Sequence, residues 1–312
     1  MTLSIATTLV PGSLPAKLEA IAAAGFTAFE LHEPDFTGYD GSAERIRQIA
    51  SDLGLRIALL KTFHDLEGQP EMARSQVFDR LERKFDLMER LGVTTLLIGA
   101  ATGAGVSGDE HTIRDDLSEA AERAGKRGLR LAYLGLPWAQ HVQTDTRSFE
   151  IVTQVDHPAL GLALNSFLSL ADGSKPARLR DIPGDRIFHV QLSDAPAIDG
   201  DIRHLKRHFS LLPGQGRLNL VGFVRVLSRS GYQGPWSLAR VNEGDPTGAN
   251  LATDGYRALV NLLNDVSGTE PDLDFGIARL PERVAATGWE FIEFAADDAS
   301  GTQLTNLLEA LC

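Results

Sequence analysis

Cysteine is almost missing from this 312-residue chain: Cys312, the last residue, is the only one. A disulfide within the chain is excluded, and so is a zinc site built on several thiolates. Long apolar runs are missing too. None approaches the roughly 20 residues that span a bilayer, so no membrane partner is expected. The opening MTLSIATTLVPGS has neither a charged leader nor a long apolar core, and is read as carrying no signal peptide. Together with the scarce cysteine this gives a cytoplasmic expectation. Basic runs are absent as well. Thirty Lys and Arg face 42 Asp and Glu, a formal charge of -12, which argues against nucleic acid as a partner. What remains is 43% hydrophobic, enough for one large core.

The apolar residues fall into an alternation of strand-like and helix-like segments. Strands are expected at 3–9, 28–33, 56–63, 94–100, 130–136, 160–167, 187–194 and 235–242, from short β-rich runs. Helices are expected at 13–25, 42–54, 72–92, 109–128, 145–155, near 175–181, at 219–230 and at 248–266. Residues 72–92 carry Val77, Leu81, Phe85, Met88 and Leu91 on one stripe, the pattern of a helix packed on a core. Eight βα units of this size predict an α/β fold, a (β/α)8 TIM barrel over 1–266, with a short C-terminal strand-helix extension. An open doubly wound sheet fits less well, because no Gly-rich loop follows the first strand. The segment 267–312 reads as a turn-rich linker, one strand and one helix. Two elements cannot bury a core alone, so the tail is expected to dock on the barrel, pair with another copy or stay mobile.

Functional residues of such a barrel lie at the C-terminal strand ends and in the loops that follow. The candidates there are His32, Glu33 and Asp35; Lys61, His64, Asp65 and Glu67; Trp138 and His141; Asn165; Gln191, Ser193 and Asp194; Arg207 and His208; and Arg240, Asn242 and Glu243. His189 shares a strand face with Gln191 and is expected to be a hydrogen-bonded interior residue.

The phrases SIATTLVPGSLPAKLEAIAAAGFTAFELHEPDF, FHDLEG, RKFDLMERLG, WAQHV, DHPALGLALNSF, DIPGDRIFHVQLSDAP and RHFSLLPGQG occur in this order. They resemble the bacterial 3-dehydroshikimate dehydratases of the xylose isomerase-like, sugar phosphate isomerase/epimerase barrel superfamily. LPERVAATGWEFIEFAADD resembles the opening of a 4-hydroxyphenylpyruvate dioxygenase-like domain, truncated here. The resemblance implies dehydration of 3-dehydroshikimate at a divalent metal held by Glu, Asp, Gln and Glu at the ends of strands five to eight. The matching positions here are Leu134, Asn165, Gln191 and Ala239, so only Gln191 agrees. Other positions depart from the family too, at His64, Leu168 and Ser210, whereas His208, Asp194 and PGQG agree.

Leu134 and Ala239 bring no ligating atom, and hard dications are held by anionic oxygens. No metal and no other cofactor is therefore expected, unless Glu33, Asp194 or Glu243 rebuild a site. The leading expectation is a metal-independent lyase or isomerase acting on a small polar or cyclic carbonyl or carboxylate compound. Lys61, His64 and His208 are its catalytic candidates, Lys61 as an imine-forming amine. Glu33, Trp138, Asn165, Gln191, Asp194 and Arg240 are expected to bind substrate. The alternatives are a non-catalytic binding or partner protein, associating with itself through the tail, and a metal-dependent dehydratase with rearranged ligands.

Overall fold

The computed structural model describes residues 1–239, 251–277, 280, 288 and 297–311. Eight parallel strands close into a barrel in sequence order: β1 (Leu3–Ala6), β2 (Ala28–His32), β3 (Arg56–His64), β4 (Thr95–Gly99), β5 (Arg130–Leu134), β6 (Leu160–Asn165), β7 (Ile187–Leu192) and β8 (Trp236–Leu238). The predicted (β/α)8 architecture is the observed one. Among its described residues this unit has ten α-helices: α1 (Leu14–Ala23), α2 (Glu33–Thr37), α3 (Ala43–Asp52), α4 (Glu71–Leu91), α5 (Glu110–Lys126), α6 (Asp145–Val155), α7 (Ser166–Leu170), α8 (Ile202–His208), α9 (Leu220–Arg229) and α10 (Leu251–Thr269). The chain divides into two compact units, 1–278 and 279–312. The second contains α11 (Asp298–Leu311), which exposes Leu307 and Leu308. The expected strand in GWEFIEF lies outside the described residues, apart from Gly288.

The apolar stripe of α4 is buried as expected: Val77, Phe78, Leu81, Phe85, Met88 and Leu91 all face the core. Gly92 ends the helix in the left-handed conformation at φ 72°, which a side chain would strain. Several elements depart from expectation. The first strand stops at Ala6 and continues as a 3-10 turn over Thr7–Leu9. The helical piece near 175–181 is a 3-10 turn, Pro176–Leu179. The stretch after β7, expected to be loop, contains α8, capped by Asp201 accepting from His204 N.

The sixth strand ends earlier than expected, at Asn165, where α7 begins. Asn165 itself causes the switch. Its Oδ1 accepts from the amides of Phe167 (3.1 Å) and Leu168 (3.3 Å), so the amide side chain is the N-cap of the new helix. Asn165 pairs in register with Gln191 of β7, and Gln191 pairs with Ser237 of β8. On the other side of the barrel His32 pairs with Lys61. These registers bring the candidate residues of different strands to one end.

Candidate active site in the barrel mouth

A buried carboxylate organises the interior. Glu30 lies in β2 between Phe29 and Leu31 and is wholly buried. Its Oε2 accepts from Gln191 Nε2 at 2.7 Å and from Lys61 Nζ at 3.2 Å. Its Oε1 lies 2.8 Å from His189 Nε2, so that ring nitrogen carries the proton. Burial alone would raise the Glu30 pKa. The Lys61 charge and the His189 hydrogen bond outweigh it and hold the carboxyl at about 2.

The network continues without a gap. Gln191 Oε1 accepts from Asn165 Nδ2 at 3.0 Å, and Asn165 Oδ1 caps α7. Every amide orientation is fixed by its partner: a carboxylate can only accept, and a backbone N–H can only donate. The two carbonyl oxygens are therefore both committed inside the protein.

A second lysine enters the same mouth from α8. Lys206 Nζ donates to Ser193 Oγ (2.8 Å), just after β7, and to the carbonyl of Ala239 (3.2 Å), just after β8. It also lies 5.0 Å from the centre of the Phe167 ring on α7. Burial among these neutral groups, reinforced by repulsion from Lys61, lowers its pKa to about 7. At the opposite rim His32 and His64 end β2 and β3. Burial lowers the pKa of both, and for His32 the Lys61 charge adds to it.

The remaining predicted site residues are placed as follows. Lys61 is ion-paired to Glu30. Glu33 opens α2 and pairs with Lys84 of α4. Trp138 is half-buried in the loop after β5, with the Arg203 guanidinium 5.8 Å from its ring centre. Asp194 is buried and accepts from the amides of Ala195, Gly214, Gly216 and Leu218 at 2.8–3.1 Å. Its carboxylate thus holds the PGQG loop rather than facing the mouth. His208 follows Lys206 by two residues, about 200° around the helix, and its ring centre lies 4.8 Å from that of His204, tilted by 45°. The amine of Lys206 reaches the strand ends after β7 and β8. Arg240, Asn242 and Glu243 lie outside the described residues. The loop acids also have structural duties: Asp65 accepts from Thr102 N (2.8 Å), and Glu67 from Ala101 N (2.7 Å) and Tyr133 OH (2.8 Å).

Glu30 and Lys206 were not among the sequence candidates. Glu30 leaves a faint signal, an acid inside an apolar strand at alternate spacing to His32. Lys206 leaves none among the basic residues of RHLKRH.

The four positions that the resemblance assigns to a metal can be tested against this geometry. Leu134 and Ala239 are buried apolar side chains at the ends of β5 and β8. The oxygens of Asn165 and Gln191 are already committed, and two lysine amines lie in the same mouth. Such a set does not fit a hard dication, which needs several oxygens, mostly anionic. Among the described residues, no cluster of three His, Cys, Asp or Glu is arranged to hold a metal ion.

Comparison with known proteins gives this geometry its family. The model of the xylose isomerase-like TIM barrel matches residues 18–264. The chain is 43% identical to a 3-dehydroshikimate dehydratase of Pseudomonas putida, over 99% of this chain and 50% of that protein. It is 40% identical to one of Pseudomonas aeruginosa with the same coverages. A solved structure described as a xylose isomerase-like TIM barrel/4-hydroxyphenylpyruvate dioxygenase fusion protein superposes with a TM-score of 0.91 at 42% identity, covering 99% of this chain and 50% of that one. The chain spans about half the length of these relatives. Its barrel is of the 3-dehydroshikimate dehydratase-like type, and the chain belongs to the xylose isomerase-like TIM barrel family.

Proposed function

We propose that this barrel is a metal-independent lyase or isomerase. Its substrate would be a small polar carbonyl compound of the class of 3-dehydroshikimate, a cyclic hydroxy ketone bearing a carboxylate. The observation that carries the reading is the exchange of charge in the mouth. Carboxylates are missing from three of the four positions that the relatives' resemblance assigns to metal ligands, while Lys61 and Lys206 bring amines. Removing a proton next to a carbonyl needs a base and a group that takes up the developing negative charge. His32 and His64, both with lowered pKa, are imidazoles able to accept a proton near neutral pH. The lysines supply the positive charge. Trp138 supplies an apolar wall, and Gln191 and Asn165 give the floor its fixed polarity.

The test is turnover of 3-dehydroshikimate by protein dialysed against chelator, followed by proton NMR so that dehydration and isomerisation are both visible. Consumption that added Mg, Mn, Co or Zn leaves unchanged supports the reading. Consumption only after a metal is returned would replace it with the metal-dependent dehydratase. Saturable binding without consumption would replace it with a binding protein, a reading favoured by how completely the Glu30–Gln191–Asn165 chain satisfies itself.

A further inference from the structure

We propose that Lys206 is an imine-forming amine, the residue through which this mouth takes hold of a small ketone. The inference deepens the proposed function and rests on it for the substrate class. Three observations converge on this residue rather than on Lys61, the lysine the sequence suggested.

The first is the count of hydrogen bonds. Among the described residues Lys206 Nζ has two acceptors, Ser193 Oγ and the Ala239 carbonyl. A neutral amine has two N–H groups and one lone pair, whereas an ammonium has three N–H groups and none. Two acceptors therefore satisfy the neutral form and leave its lone pair available. The second is that, among the described residues, no carboxylate is bonded to it. The described partners of Lys206 are a hydroxyl, a carbonyl and a phenyl ring. The carboxylate in the interior, Glu30, is already bonded to Lys61, His189 and Gln191. Lys61 is held as one half of that ion pair, so its amine is not the free nucleophile. The third is position. Residues after β6, β7 and β8 meet at the Lys206 amine, at the strand ends where barrel enzymes bind their substrates. The lowered pKa of Lys206 agrees with all three.

The step balances without an oxidant or reductant. The Lys206 lone pair attacks the ketone carbon, the former carbonyl oxygen leaves as water, and a C=N bond remains. In its protonated form this iminium accepts the electron pair of the neighbouring C–H bond when a base takes that proton. The resulting enamine expels a β-hydroxyl, which leaves as water, or is reprotonated at carbon, which isomerises the ligand. Hydrolysis of the C=N bond restores the amine and consumes one water. The positive charge that a Lewis acid would bring to the carbonyl oxygen is brought instead to nitrogen.

Reductive trapping tests this on the wild-type chain. The protein is incubated with 3-dehydroshikimate and sodium cyanoborohydride, then read by intact mass and peptide mapping. The expected result is one adduct per chain on Lys206, of mass equal to the ligand less water plus two hydrogens. It should saturate with ligand concentration and be lost in Lys206→Arg and Lys206→Met proteins whose circular dichroism matches wild type. Lys206→Arg keeps the charge and removes the nucleophile, so retained trapping elsewhere would overturn the assignment. So would an adduct on Lys61 alone, or no adduct at all. Trapping is read apart from turnover. Metal-independent turnover without trapping overturns the Lys206 assignment and leaves the proposed function standing. Trapping without turnover does the reverse.

Discussion

Glu30 shows at the scale of one residue how a buried charge is made tolerable. It is desolvated completely, and three donors on two strands, β3 and β7, compensate. Removing the charge while keeping the shape, as in Glu30→Gln, strands Lys61. A cost of about 3–5 kcal/mol is expected in urea denaturation, and the double variant Glu30→Met/Lys61→Met should lose less than the single one. The pH dependence has a definite sign. The Glu30 pKa lies at about 2 in the fold against about 4.3 in an unfolded chain. Its stabilisation is complete above the unfolded value and fades as pH falls toward 2, so the gap between wild type and Glu30→Gln should narrow over that window. Lys206 behaves in the opposite sense. Its pKa falls to about 7 from an unfolded value of about 10.4. Carrying the proton in the fold is a penalty, full below pH 7 and vanishing as pH rises to 10.4. Lys206→Met should therefore raise thermal stability most at pH 6, with the gain shrinking toward pH 10.

Single side chains also decide where elements begin and loops settle. Asn165 ends β6, caps α7 and orients Gln191. Asn165→Asp keeps the cap but sets an anionic oxygen against Gln191 Oε1. Gln191 cannot turn over, because its Nε2 is held by Glu30. A loss of about 1–3 kcal/mol is expected from chemical denaturation, although the substitution restores the family's residue. Asp194 does comparable work for the loop before α9. Its two oxygens gather the amides of Gly214, Gly216 and Leu218, and at Gly216 an added Cβ would lie 2.2 Å from the Ala195 carbonyl. Asp194→Ala should cost about 3 kcal/mol and speed hydrogen exchange at those amides, while those of β2 and β3 stay protected.

The barrel was legible in the sequence because period and punctuation agree along it: Val77 to Leu91 stripe one helix, and Gly92 stops it. Asn165, Gln191 and Lys61 were legible as residues of the mouth because they fall at strand ends. Their duties were not, since those depend on partners distant in sequence. Asp194 looked like a ligand contact, and in the fold four backbone amides claim its carboxylate. Rebuilding the family's donor set tests the molecule as a whole. The triple variant Leu134→Glu, Asn165→Asp, Ala239→Glu should gain manganese binding measurable by calorimetry. It should also raise the Lys206 pKa, because a carboxylate would then stand near the amine.

The span of the Glu30 bonds bears on how such a chain is made. Lys61 lies 31 residues from Glu30, so the ion pair can form early during synthesis. His189 and Gln191 lie 159 and 161 residues away. Loop closure of that length comes late. Until β7 leaves the ribosome, the first strands hold a carboxylate with two of its three donors missing, and water must stand in for them. Drying of the interior therefore reports closure of the ring, and a nascent chain stalled before residue 187 should remain open, wet at its centre and easily cut by protease.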